Sequence, residues 1–115
     1  MFNCIFCKIN FGIIQVNKVY ENKFVLAFKD KQPKAPIHIL VIPKKHIINL
    51  NMVKKKDIWL LGILQFSIVT IVNKYPDMRK GYRVINNCGI NGGQTIFHLH
   101  YHILGGKIFT GLMNN

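Results

Sequence analysis

The sequence predicts a single α+β domain in which short strands, punctuated by Gly, Pro and Asn, surround one long apolar helix. Three observations carry this reading. The chain has 115 residues, half of them apolar, which builds one compact core and leaves no room for a second. Apolar residues between Lys54 and Tyr75 recur at steps of three and four. Short runs rich in Val, Ile, Leu and Phe flank that stretch on both sides, and each ends at a turn residue. Residues 1–115 are therefore expected to form one domain, with no internal repeat or low-complexity linker.

Taken in order, Ile5 to Ile9 reads as a short helix or turn. Val19–Glu21 and Phe24–Phe28 read as a hairpin closed at Asn22-Lys23. The two prolines of Lys31–Pro36 lack the N–H of a sheet ladder, so that segment is a loop leading into a strand His38–Ile42, ended by Pro43. The helix from about Lys54 to Tyr75 presents Ile58, Leu61, Ile68, Val72 and Tyr75 on one stripe, with Gln65 in the missing place. Its other sides carry Trp59, Leu60, Ile63, Leu64, Phe66, Val69 and Ile71; a helix apolar all round is buried on more than one side. One face packs on the sheet, and the leftover face predicts a homodimer of two-fold symmetry. Gly81–Asn86 and Thr95–Leu104 complete the strands, separated by the turn-rich Asn87–Gln94.

Composition removes several functions. The uncharged run Ile58–Val72 is shorter than the roughly 20 residues of a bilayer span, so no membrane association is expected. Met1–Lys8 lacks a basic leader followed by a long apolar block, and three cysteines are too few for a disulfide framework; both point to a reducing, cytoplasmic setting. The formal charge of +12 attracts anions. All but Arg79 and Arg83 of its 16 cations are lysines, however, and bidentate phosphate and guanine recognition prefers Arg, so nucleic-acid binding is disfavoured. The carboxylates Glu21, Asp30, Asp57 and Asp77 are too scattered for a paired-carboxylate mechanism. The lone serine, Ser67, sits inside the helix. Histidine and cysteine remain as the reactive side chains.

The histidines form a row. In a strand rising about 3.3 Å per residue, His98, His100 and His102 project to one side roughly 6.6 Å apart, while Leu99, Tyr101 and Ile103 face the core. Three imidazoles on one face are hard to explain as packing, because each ring needs polar partners when buried. Such a row either binds a metal or places one ring as a nucleophile on phosphorus with its neighbours on the phosphate oxygens. The preceding loop favours the second use: Gly92 and Gly93 admit close approach of an anion to backbone N–H groups, and Asn87, Gln94 and Thr95 add neutral donors.

The run Gly92–Gly106, with His98-Leu99-His100-Tyr101-His102-Ile103-Leu104 followed by two glycines, resembles the signature of the histidine-triad (HIT) nucleotide-binding proteins, in their Hint branch. The resemblance extends over Cys4–Ile9, Leu26–Asp30, Ala35–His46 and Gly81–Arg83 in the same order. It implies an antiparallel sheet with one long helix and a short N-terminal helix, dimerising into a ten-stranded sheet. It also implies hydrolysis of adenosine or guanosine 5′-phosphoramidates to the monophosphate and an amine. By carry-over His100 is the nucleophile, His102 its phosphate-side helper, His98 the residue whose carbonyl orients His100, and His38 the fourth histidine of the group. Asp30 corresponds to the carboxylate on the ribose hydroxyls. Phe6, Ile9 and Phe28 correspond to the apolar positions around the base, and Asn87, Gly93 and Thr95 to the phosphate-side donors. The alternative is a purine nucleotide sensor or regulatory protein with little turnover.

Cys4 and Cys7 have the spacing of half a tetrahedral zinc site. In family members with this pair, the site is completed by residues corresponding to His46 and His98, which implies a structural zinc with no catalytic metal. Lys31 departs from the family pattern, standing beside Asp30 where an apolar residue is usual. Cys88 has no assigned role.

Overall fold

The computed structural model describes residues 3–112; Met1, Phe2 and Met113–Asn115, the ends of the expected domain, lie outside the described residues. A short helix α1 (Ile5–Asn10) precedes strands β1 (Lys18–Glu21), β2 (Val25–Lys29) and β3 (Ile37–Pro43). Helix α2 (Ile58–Val72) then leads to β4 (Arg83–Ile85) and β5 (Tyr101–Gly105). The strands form one sheet in the order β1-β2-β3-β5-β4, every neighbouring pair antiparallel. Among the described residues no helix is long and apolar enough to cross a membrane.

Local chemistry explains the elements. The Asn22 Oδ1 accepts from the N–H groups of Phe24 and Val25, both at 2.8 Å, which closes the first hairpin. Strands β2 and β3 are buried almost throughout because layers cover both faces of the sheet, and so they read as continuous apolar runs. On one side Val25, Ala27, Ile39, Val41, Leu99, Tyr101 and Ile103 pack under α2 with Leu60, Leu64, Ile68 and Ile71. On the other, Leu26, Phe28, Leu40 and Ile42 pack under α1 with Phe6 and Ile9. The period of two along β3 and β5 keeps the histidines off the α2 side.

Several sequence expectations shift. Helix α2 begins at Ile58 and ends at Val72, inside the expected Lys54–Tyr75, because Lys55–Asp57 form a separate 3-10 turn. Its buried face is Leu60, Leu64, Ser67, Ile68, Ile71 and Val72, whereas Ile58, expected on the core stripe, is 61% exposed. A helix apolar on every side has no amphipathic contrast from which the phase can be read. Pro43 does end β3, as its last paired residue, opposite Val25. Gly81–Asn86 contracts to three paired residues.

The largest change concerns the histidine row, which is not one strand. Tyr101 opens β5, and residues 95–100 form an irregular lead-in, bent at 96–98, whose Leu99 N–H donates to the Ile47 carbonyl at 2.6 Å, away from the sheet. Side chains still alternate, with Leu99 buried in the α2 core and His98 and His100 buried on the opposite side.

The phase of α2 gives a direct test. Leu64→Ala should cost about 2–5 kcal/mol of stability, as for other fully buried leucines, and Ile58→Ala less than about 1. Denaturant melts in urea measure both, and equal losses would place the buried face on the stripe expected from the sequence.

Candidate active site

The geometry of the site is set by main-chain groups. The His100 ring donates its Nδ1–H to the carbonyl of His98 at 2.8 Å. A carbonyl only accepts, so the proton is on Nδ1 and the Nε2 lone pair is free. The Lys34 N–H donates to His38 Nδ1 at 3.0 Å, which leaves the neutral His38 ring its proton on Nε2. That Nε2–H reaches His102 Nδ1 at 2.9 Å, with Asp30 Oδ2 3.4 Å from the same nitrogen. His102 accepts through Nδ1 and so keeps its own proton on Nε2. The rings of His100 and His102 lie 5.1 Å apart, edge to face.

Burial keeps these rings neutral. His102 is pushed down to about 4, chiefly by burial and then by His100 and His38, against the pull of Asp30. Burial also lowers His100 and His38, with Asp30 opposing in both cases. A neutral ring with a free Nε2 lone pair and a neutral ring with an Nε2–H therefore coexist at ordinary pH.

Two cavities flank the histidines. One of about 180 Å³ is walled by Phe6, Ile9, Phe28, Leu40 and Ile96, with Asp30 and Lys31 among its lining residues. The other, of about 280 Å³, is lined by Asp30, Gln32, Lys34, His38, Asn87 and His102. Asp30 lines both, and its Oδ1 is held by the Gln32 N–H at 2.8 Å. The structure thus brings together His38, His98, His100, His102, Asp30, Phe6, Ile9, Phe28 and Asn87.

The glycine loop is arranged differently from its sequence reading. The N–H groups of Gly92, Gly93 and Gln94 donate to Gly89, Ile90 and Gly89 carbonyls at 3.0–3.1 Å, so they are spent inside the loop and not open to an anion. Gly89 and Gly93 adopt positive φ, which lets the chain fold back tightly enough for those bonds. Buried Gln94 is a brace: its Oε1 accepts from Gly89 N–H at 2.8 Å and its Nε2 donates to the Ile48 carbonyl at 2.8 Å and that of Ile96 at 3.0 Å. The Asn87 amide donates to the Gly92 carbonyl at 2.8 Å. Gly93 and Thr95 are exposed and are absent from the lining of the cleft beside His102. Cys88 is half-buried, with a free thiol.

Four further side chains meet at the N-terminus. Cys4 Sγ lies 3.3 Å from His98 Nδ1, Cys7 Sγ 3.3 Å from His46 Nδ1 and 3.6 Å from His98 Nδ1, and the two Nδ1 atoms are 3.1 Å apart. Zn–N bonds of about 2.0–2.1 Å and Zn–S of about 2.3 Å give tetrahedral edges of roughly 3.3–3.8 Å, so the four donors are spaced close to those of a zinc tetrahedron. The His98 Nε2–H donates to the Pro43 carbonyl at 2.9 Å, which aims the lone pair of Nδ1 into the cluster. The residues therefore fit zinc. Burial, followed by Cys4, pushes the Cys7 thiol up to about 11, a barrier that a bound cation removes by taking the thiolate.

A family model described as "Scavenger mRNA decapping enzyme C-term binding" matches residues 3–115. An uncharacterized HIT-like protein of Chlamydia trachomatis is 42% identical over 104 residues, covering 90% of this chain and 93% of the relative. The chain belongs to the histidine-triad (HIT) family. Protein HitA of Neisseria gonorrhoeae is 41% identical over 105 residues, covering 91% of this chain and 97% of that protein. Among solved structures, a histidine triad protein from Clostridium difficile superposes with TM-score 0.93 at 46% identity, covering 97% of each chain. A HIT family hydrolase from Legionella pneumophila superposes with TM-score 0.90 at 42% identity, covering 94% of this chain and 96% of that one. The α+β fold, with its five-stranded antiparallel sheet, long helix and short helix, is thus the HIT fold.

Some site residues carry no signal in the sequence. The Pro43 carbonyl, the Lys34 N–H and the Asn86 Nδ2, which donates to the His100 carbonyl at 2.8 Å, act through the main chain or on it. Only the alternation of strand residues could have nominated Leu40 for the cavity wall.

Buried neutral histidines make stability pH-dependent. The folded-state values of His38 and His102 lie below the unfolded value near 6.5, so their contribution is complete above that pH and is lost as pH falls toward 4. Melting temperature measured from pH 7 to pH 4 should fall through this window, and a His102→Gln variant should fall less.

Proposed function

We propose that this HIT protein is a purine nucleoside phosphoramidase that works through a nucleotidyl-histidine intermediate. The observation that carries the reading is the His100 Nδ1–H bond to the His98 carbonyl at 2.8 Å, which leaves a neutral Nε2 lone pair on a ring packed 5.1 Å from Phe6 of one cavity and 5.1 Å from His102 of the other. The Phe6-Ile9-Phe28 cavity takes the base, and Asp30 takes the ribose hydroxyls. The His100 Nε2 attacks the α-phosphorus, the P–N bond breaks, and the amine leaves with a proton. His102, through the Nε2–H that its bond to His38 leaves available, contacts the phosphate oxygens and assists that proton transfer. Water then attacks the phosphorus and the P–Nε2 bond breaks, which returns His100 and releases the monophosphate, while a proton of the water replaces the one that left with the amine. The hydrolase named among the structural neighbours agrees with this class of reaction.

The tautomers favour a nucleophile over the histidine row as a catalytic metal site. Asp30, His38 and His102 place donor atoms within 4.8 Å of one another, but the His38 nitrogen facing that group carries the proton. Cys4, Cys7, His46 and His98 would hold a structural zinc, which when bound cross-links the N-terminus to the sheet; four protein ligands leave no position for substrate. The second reading, a nucleotide sensor with little turnover, draws on the same pocket.

The exposed side of α2 supports a homodimer. Ile58, Trp59, Phe66 and Val69 are 61%, 49%, 70% and 41% exposed, an apolar face on a helix whose opposite side is already packed. The edge strand β4 would extend the sheet across the two-fold axis to ten strands. Sedimentation should give a species of twice 13.3 kDa, and Phe66→Asp should convert it to monomer. A monomeric wild type at micromolar concentration would remove the dimer.

Adenosine 5′-phosphoramidate is the test substrate. His100→Ala should lower kcat by about 10³-fold or more and His102→Ala by about 10²–10⁴-fold. Equal turnover by wild type and His100→Ala would sink the nucleophile; no turnover by wild type, with AMP still bound, would favour the sensor.

A further inference from the structure

His98 belongs to two centres. Its fully buried ring directs Nδ1 at Cys4 Sγ and His46 Nδ1, 3.3 and 3.1 Å away, while its main-chain carbonyl holds the His100 Nδ1–H at 2.8 Å. A second link runs through Phe6, which sits between the two cysteines on α1. The Phe6 ring packs edge to face on His98 at 5.8 Å, on His100 at 5.1 Å and on Phe28 at 5.8 Å, and it walls the cavity read as the nucleoside site.

Helix α1 has six residues, too few to persist on its own hydrogen bonds. It is anchored by burial of Phe6 and Ile9 and by the thiol cluster. The cluster ties α1 to His46 and His98 across sulfur–nitrogen distances of 3.3–3.6 Å, and the Cys4 Sγ caps the Cys7 N–H at 3.4 Å. Phe6 and Ile9 stand on the same short helix, so any shift of α1 carries both out of the cavity wall together.

We propose that the Cys4-Cys7-His46-His98 cluster is an allosteric partner of the nucleotide site: zinc bound there fixes the His98 carbonyl and the Phe6 ring, so that metal and nucleotide bind cooperatively. His98 and Phe6 are positioning residues in this scheme. The inference rests on reading the Phe6-Phe28 cavity as the nucleoside site, and it needs no turnover. Linkage makes the effect reciprocal: the factor by which zinc tightens the nucleotide is the factor by which the nucleotide tightens zinc.

AMP affinity is measured by calorimetry on zinc-loaded and chelator-stripped protein, with circular dichroism confirming that both are folded. Zinc affinity is measured by chelator competition with and without AMP. Both cycles should give the same factor of about tenfold or more. Phe6→Leu should retain zinc while the factor shrinks below about threefold. Equal AMP affinities in two folded states, or an unchanged factor in Phe6→Leu, would overturn the proposal. Should the stripped protein unfold, cobalt replaces zinc: AMP should shift the cobalt absorption bands, and bands indifferent to saturating AMP would overturn it equally. Turnover of adenosine 5′-phosphoramidate is read separately. Cooperative AMP binding without turnover defeats the phosphoramidase reading alone, turnover with independent binding defeats the coupling alone, and no AMP binding in any state defeats both.

Discussion

One hydrogen bond, from the His100 Nδ1–H to the His98 carbonyl, is the constraint on which the site depends. A buried imidazole left with an unpaired N–H would cost about 1–3 kcal/mol, so this bond is what allows His100 to be sunk to 6% exposure. Burial then disfavours the charged ring and keeps it neutral. The bond exists because residues 98–100 are not ladder-paired: Leu99 N–H turns to Ile47, and the His98 carbonyl is left to face the ring two residues on. A regular strand through this segment would have used these groups for the sheet. The missing strand residues and the oriented histidine are therefore one fact.

The three histidines of the row differ because the main chain treats them differently. Pro43 takes the His98 Nε2–H, the His98 carbonyl takes the His100 Nδ1–H, and Lys34, acting through His38, sets which nitrogen of His102 accepts. The row thus contains opposite tautomers, Nδ1–H in His100 and Nε2–H in His98 and His102. Side-chain identity alone would make these positions equivalent; main-chain partners leave the Nδ1 lone pair of His98 toward the cysteine thiols and the Nε2 lone pair free in His100.

That distinction explains what could be read from the sequence. Leu26–Phe28 and His38–Ile42 were legible because central strands buried on both faces need apolar residues at every position. The histidine face followed from the period of two, which survives where the strand itself does not. The phase of α2 was not legible, since Leu61 and Leu64 are chemically alike and only the packing on β3 distinguishes them. The glycine loop misled for a related reason. Gly92 and Gly93 admit either an anion or a tight self-bonded turn, and Gln94, a residue with no local signature, closes the turn by bonding across to Ile48.

Charge distribution gives Asp30 particular weight. Of the four side-chain carboxylates in a chain of net charge +12, Glu21 pairs at the surface with Lys18 and Lys44, and buried Asp57 takes Lys45 at 2.7 Å. Exposed pairs such as those of Glu21 contribute little, about 0–1 kcal/mol each. Asp30 instead lies 3.4 Å from buried His38 and opposes the desolvation of His38, His100 and His102. A ribose engaging that carboxylate through its hydroxyls would compete with His38 for the same oxygen, since Oδ1 is already committed to the Gln32 N–H. Nucleoside binding would then weaken an interaction that favours protonation of all three rings. A carboxylate that bound the sugar in the proposed reaction would thereby bias the histidines further toward their neutral forms.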